Sequence, residues 1–148
     1  MSLTPDTLAG IVELFGALTD AELCDACAEV DFRHEGETRP DEEYLQEIET
    51  ALESNHLARI DESDTLLIAG PAAFPRVPSG GDDLPHILPI EPRTVDRSSA
   101  AERIIAELQH ELEENPEPAR QESIIDLCYD IESWAGIDTS HIREQLDP

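Results

Sequence analysis

Apolar positions recur at helical spacing through most of the chain and switch to a strand-like pattern once. Leu8, Ile11, Val12 and Phe15 share one helical face. Thr4 is placed to cap that helix, Pro5 takes its first position, Asp6 sits at the positive end of the dipole and Gly16 closes it. A second helix opens on the capping box Thr19-Asp20-Ala21-Glu22, runs to about Asp31 and turns Leu23, Cys27 and Val30 inward. A polar loop from Arg33 to Thr38 follows. Pro40 then introduces a third helix, with Tyr44, Leu45, Ile48, Ala51 and Leu52 as its apolar stripe, stopping near Asn55.

The exception begins at His56. Leu57-Ala58-Arg59-Ile60 and Thr65-Leu66-Leu67-Ile68-Ala69 flank the polar connection Asp61-Glu62-Ser63-Asp64, which predicts an antiparallel hairpin. An isolated hairpin buries too little to stand alone, so helices must cover one face. Residues 71–97 then hold six of the eleven prolines, with Gly80 and Gly81 among them and Gly70 just before, and read as a strap instead of a helix. Its apolar residues Phe74, Val77, Leu84, Ile87, Leu88 and Ile90 predict that it packs along the body.

Helical spacing returns at Ser99-Ala100-Ala101-Glu102, a second capping box, with Ala101, Ile104, Ile105, Leu108 and Leu112 inward. Asn115-Pro116 ends that helix and Pro118 starts the next, whose stripe of Ile124, Leu127, Cys128, Ile131 and Trp134 is the strongest in the chain; Gly136 closes it. A short last helix holds Ile142 and Leu146. The predicted fold is mainly α with a small β-hairpin, an α+β chain. Its parts are residues 1–70 (three helices and hairpin), 71–97 (strap) and 98–148 (helical hairpin and last helix), taken together as one unit.

Charge changes the picture most. The chain carries 35 acids against 9 bases, a net charge of −26, and every base is arginine. High net charge ordinarily predicts disorder, but the clean periodicity overrides that reading and makes the acids a solvated face. Such a surface suits a molar-salt interior, where the Debye length falls to about 3 Å. The absence of lysine removes strongly hydrated ammonium groups on long stems, in keeping with that habitat. No apolar run is long enough for a membrane span, and MSLTPDTLAGIVELFG lacks the basic flank and cleavage site of a leader, so a cytoplasmic location is expected.

Candidate chemistry is sparse. Cys24-Asp25-Ala26-Cys27 has the spacing of redox pairs and half zinc sites, with His34 as the third ligand a metal would need. It lies inside an amphipathic helix without a second pair, so the thiols are read as core. His86 follows Asp82 and Asp83, carboxylates able to orient an imidazole as a general base, but no nucleophile accompanies it. No cofactor or metal is expected.

Three helices followed by a hairpin is the order of a winged-helix domain. In that fold the third helix enters the major groove, whereas here it carries Asp41, Glu42, Glu43, Glu47, Glu49 and Glu53 with no base. Phosphates are repelled, leaving at most a hairpin contact by Arg59 or Arg76. The chain also resembles a haloarchaeal protein family of unknown function, through LTPDTLAGIVELFGALT, AGPAAFPRVP, DLPHIL and YDIESWAGID. None of these is a catalytic signature, so the resemblance implies a habitat and transfers no functional residue.

The sequence therefore predicts a non-enzymatic protein working through protein contacts, self-association being the simplest case, with hydrated cations around its surface. The strap sums to only −1, and the protein's contact surface is read as the hairpin edge and the strap, through Leu66, Phe74, Arg76 and Ile87, with Trp134 as a second aromatic anchor. The rivals are an enzyme with a pocket under the strap using His86 and a winged-helix regulator.

Overall fold

The computed structural model describes residues 3–61 and 65–146. Seven helices and one two-stranded antiparallel sheet are assigned among them, the mainly α chain with a hairpin that the periodicity predicts. The chain divides into two compact units, Met1–Val95 and Asp96–Pro148.

In the first unit, α1 (Pro5–Phe15) starts where Thr4 accepts the Thr7 N–H at 3.1 Å, and ends at Gly16 with φ +86°. Helix α2 (Asp20–Glu35) opens on the expected capping box: Thr19 Oγ1 accepts the Glu22 N–H at 3.1 Å and Glu22 Oε1 accepts the Thr19 N–H at 2.9 Å. It runs a turn beyond Asp31, where the sequence placed its end. Arg33 pairs back to Glu29 at 3.1 Å, and Gly36 adopts the left-handed conformation with its N–H donating to the Phe32 carbonyl at 2.8 Å. Helix α3 (Asp41–Glu53) buries Tyr44, Ile48 and Ala51, but Leu45, expected inward, is 42% exposed.

Strands β1 (Leu57–Asp61) and β2 (Thr65–Ala69) pair from Leu57 opposite Ala69 to Asp61 opposite Thr65. The predicted connection at residues 62–64 lies outside the described residues. Leu57, Leu67 and Ala69 join the core of α1, α2 and α3. Ala58, Ile60, Leu66 and Ile68 occupy the other face and are buried too, so the hairpin is apolar on both sides. Leu18 pairs with Leu67 on the outer side of β2.

Residues 71–95 lie against this helical core. The Phe74 N–H donates to the Asp6 carboxylate and the Arg76 N–H to the Asp6 carbonyl, both at 3.0 Å. The Arg33 guanidinium donates to the Gly80 carbonyl at 3.2 Å, and His34 Nε2 lies 2.7 Å from the Ser79 carbonyl. Contrary to the reading of an entirely non-helical strap, Gly81–Asp83 forms a 3-10 turn running into a one-turn helix, α4 (Leu84–Ile87). Proline is tolerated there because the N–H it lacks would go unpaired in a first turn, and Leu84 anchors the turn by full burial in the core. At the far end the Arg93 N–H donates to the Phe15 carbonyl at 2.7 Å, and its guanidinium grips Glu22 at 2.6 and 3.3 Å. Gly10 within α1 and Gly16 at its end make this possible. A Cβ on Gly10 would land on the Arg76 carbonyl, and one on Gly16 on the Arg93 carbonyl.

In the second unit, α5 (Arg97–Leu112) begins earlier than the Ser99 capping box predicts. Asp96 is the cap, accepting the Ser98 N–H at 2.9 Å. Helix α6 (Pro118–Ala135) packs on α5 through Ile124, Leu127, Cys128 and Ile131, and Arg120 clamps Glu111 at 2.6 and 2.9 Å across their connection. Helix α7 (Ser140–Leu146) buries Ile142. Thr139 ties it to α6, its hydroxyl donating to the Cys128 carbonyl at 3.3 Å.

Candidate functional site

The residues read from the sequence as a contact surface fall into three situations. Phe74 is 82% exposed, Arg76 follows it on the strap, and Ile87 is 40% exposed on α4. Val77, next in line on the strap and absent from that set, is exposed as well. Leu66 is buried within β2 and offers no outward surface. Trp134 belongs to the second unit, half-buried beneath Arg97, whose guanidinium lies 5.6 Å from the ring centre and donates to the Trp134 carbonyl at 3.2 Å.

The Phe74 ring is thus displayed by a backbone that is itself fastened. Asp6 holds the amides of residues 74 and 76 through two different oxygens, and His56 Nε2 lies 3.7 Å from the same carboxylate. The sequence showed Asp6 only as a helix-dipole residue. What signalled the tether was Gly10, a glycine inside an apolar helix, which marks a place where another backbone comes close. At the other end of the strap, burial raises the Glu22 carboxyl, yet hydrogen bonds from Arg93 and Thr19 outweigh it and the group sits below its ordinary pKa.

Cys24, Cys27 and Cys128 are all buried, with free thiols. Burial, with the nearby charges of Asp41, Asp20 and Asp25, pushes the Cys24 thiol up to about 11, and burial pushes Cys27 higher still. His34, the candidate third ligand, is exposed and turned to the Ser79 carbonyl. No grouping of three or more metal-ligating side chains occurs among the described residues. A thiol of pKa near 11 is roughly one part in a thousand thiolate at pH 8, against about a quarter for an ordinary cysteine. Native protein in molar salt is therefore expected to react with a thiol reagent at least a hundredfold more slowly than the urea-unfolded chain. Fast modification of one thiol before unfolding would overturn the core assignment.

His86 is exposed on α4, and among the described residues no hydrogen bond orients it. The densest polar arrangement lies elsewhere. Arg39 donates from Nε to the buried Asp31 at 2.9 Å and from its two terminal nitrogens to Glu47 at 2.6 and 3.2 Å. Tyr44 donates its hydroxyl to the same Asp31 oxygen at 2.7 Å and accepts the Arg39 N–H at 3.0 Å. Hydrogen bonding to Glu47 is the main reason Arg39 is held above its ordinary pKa, and burial raises the Tyr44 phenol. An open groove of about 490 Å³ runs beside this group, lined by Leu3, Pro5, Glu43, Gln46 and Thr50 as well as Arg39 and Glu47. All three Arg39 nitrogens are committed to carboxylates, so the arrangement joins α2 to α3 and presents no anion-binding cation. Little in the sequence signals it beyond a single arginine between acid-rich helices.

A family model described as a family of unknown function (DUF7109) matches residues 6–148. No curated protein and no solved structure matches the chain. No helix among the described residues is long and apolar enough to cross a membrane.

Proposed function

We propose that this chain, which belongs to the DUF7109 family of unknown function, is a non-enzymatic protein of a salt-rich, haloarchaeal cytoplasm that acts by pairing with a second copy of itself through the strap. The observation that carries the reading is Phe74. A large aromatic is 82% exposed on a backbone tied down by Asp6, so the ring is preorganised for contact at little further entropic cost. Val77 and Arg76 beside it supply the apolar and guanidinium groups that protein interfaces favour.

Charge selects the place. Segments 1–56 and 98–148 carry −13 and −10, whereas the strap carries −1, so two copies approach with least repulsion there. The net charge and the absence of lysine support the salt-rich habitat. The order α1, α2, α3, β1, β2, with Leu18 paired beside β2, favours a winged-helix-like first unit. The six acids of α3 argue that it does not meet phosphates.

Light scattering of wild type in molar potassium chloride should give a dimer mass, and Phe74→Glu a monomer mass, with the far-ultraviolet circular dichroism of the folded chain unchanged. A charge at an interface core typically costs a few kcal/mol, about a hundredfold in dissociation constant. A wild type that stays monomeric at high concentration would remove the proposal before any substitution is made.

A further inference from the structure

Among the described residues, the outer edge of β1 is unpaired at Arg59, and the hydrogen-bond pattern identifies it. Leu67 exchanges both its backbone groups with Leu18, its N–H donating to the Leu18 carbonyl at 2.7 Å and its carbonyl accepting at 3.1 Å. They point away from β1, so Arg59, opposite Leu67, is the member of a non-hydrogen-bonded pair. The Gly70 N–H donating to the His56 carbonyl at 2.9 Å fixes the same alternation. The Arg59 N–H and carbonyl therefore point outward, and no described residue bonds to them. Leu18 covers the corresponding edge of β2; nothing equivalent pairs with β1 at Arg59.

The side chains around this edge define what would fit it. Arg59 reaches from the helix-facing side to Asp20 at 2.7 and 3.0 Å. Its pKa is raised first by that hydrogen bond and further by the charges of Asp20, Glu49 and Asp61. Three carboxylates thus surround one guanidinium, leaving a negative surplus on that face. Ala58 and Ile60 make the opposite face apolar.

We propose that the β1 edge at Arg59 accepts an extended segment of a partner protein, alternating basic and apolar residues, as an added strand. Main-chain hydrogen bonds to Arg59 would supply affinity, and the alternation of faces the specificity. Direct ion pairs at contact distance survive molar salt because the Debye length there is still about 3 Å. Two-fold pairing of β1 with a second copy about Arg59 would set Arg59 against Arg59.

The test is titration of the full chain, in molar potassium chloride, with an acetylated and amidated seven-residue peptide alternating valine and lysine. Hydrogen exchange at the Arg59 amide is read by NMR. We expect exchange to slow at least tenfold on saturation. A valine–glutamate peptide, or the lysine peptide with alternate amides N-methylated, should leave exchange unchanged. Asp61→Arg, at an exposed position, should weaken binding severalfold while the fold persists. Failure to bind at millimolar peptide, or equal binding of the N-methylated peptide, would overturn the proposal. So would an Arg59 amide already protected in a concentration-dependent way, which would assign the edge to a second copy.

Discussion

Transferring the protein from molar potassium chloride to about 0.01 M salt is expected to lower its melting temperature by on the order of 20 °C, or to unfold it outright. Two like charges about 7 Å apart in water repel by roughly 0.6 kcal/mol when unscreened. The Debye length grows from about 3 Å at 1 M to about 30 Å at 0.01 M, so each carboxylate comes to sense most of the others. With 35 acids against 9 arginines, a handful of such terms equals the roughly 5–15 kcal/mol that holds a domain folded. The second unit should loosen early, being short and hence poor in core, with Arg103, Arg120 and Arg143 as its only bases beyond Arg97. Sodium and potassium chloride should act alike if screening dominates. Circular dichroism melts across a salt series make the measurement, and a melting temperature flat from low to molar salt would defeat the halophilic reading.

Arg39→Met should be the most damaging single substitution outside the apolar core. It leaves Asp31, only 4% exposed, with the Tyr44 hydroxyl as its one remaining hydrogen-bond partner among the described residues. Breaking a buried pair from one side costs about 3–5 kcal/mol, because a charge stays desolvated without compensation. Adding Asp31→Asn should recover a large part of the loss, since the neutral amide still accepts from Tyr44. Urea melts in constant molar potassium chloride would measure both, and a cost below about 1 kcal/mol for Arg39→Met would show that Asp31 is not held as the geometry implies.

What the sequence made legible was whatever depends on neighbours in the chain. Thr4, Thr19 and Gly136 cap helices as predicted because capping is settled within four residues, and the hairpin register follows from two short apolar runs. Where the sequence reading failed, two local signals competed or a distant partner decided. Asp96 took the cap from Ser99, both being competent three residues apart. Leu45 fits the helical stripe of α3 but lies outside the arc that α1 and α2 cover. Exposure was legible at Phe74, an aromatic in a proline-rich stretch. Burial was not legible at Leu66, because a strand buried on both faces is as apolar as one with a sticky edge. Asp6, Arg39 and Arg93 find partners far along the chain, and no periodicity reports that.

Arg93 has a consequence for how the protein is made. Its backbone closes on Phe15 and its guanidinium on Glu22, contacts that span more than seventy residues. A ribosome adding roughly 5–20 residues per second delivers Arg93 about 4–16 s after Phe15. Throughout that interval α1 waits with the backbone of Gly16 uncovered, and for most of it with Gly10 uncovered and the place of Leu84 unfilled. Nascent chains stalled before residue 93 should remain open to chaperones and proteases that the finished first unit excludes, although all three of its long helices and its hairpin have already been synthesised.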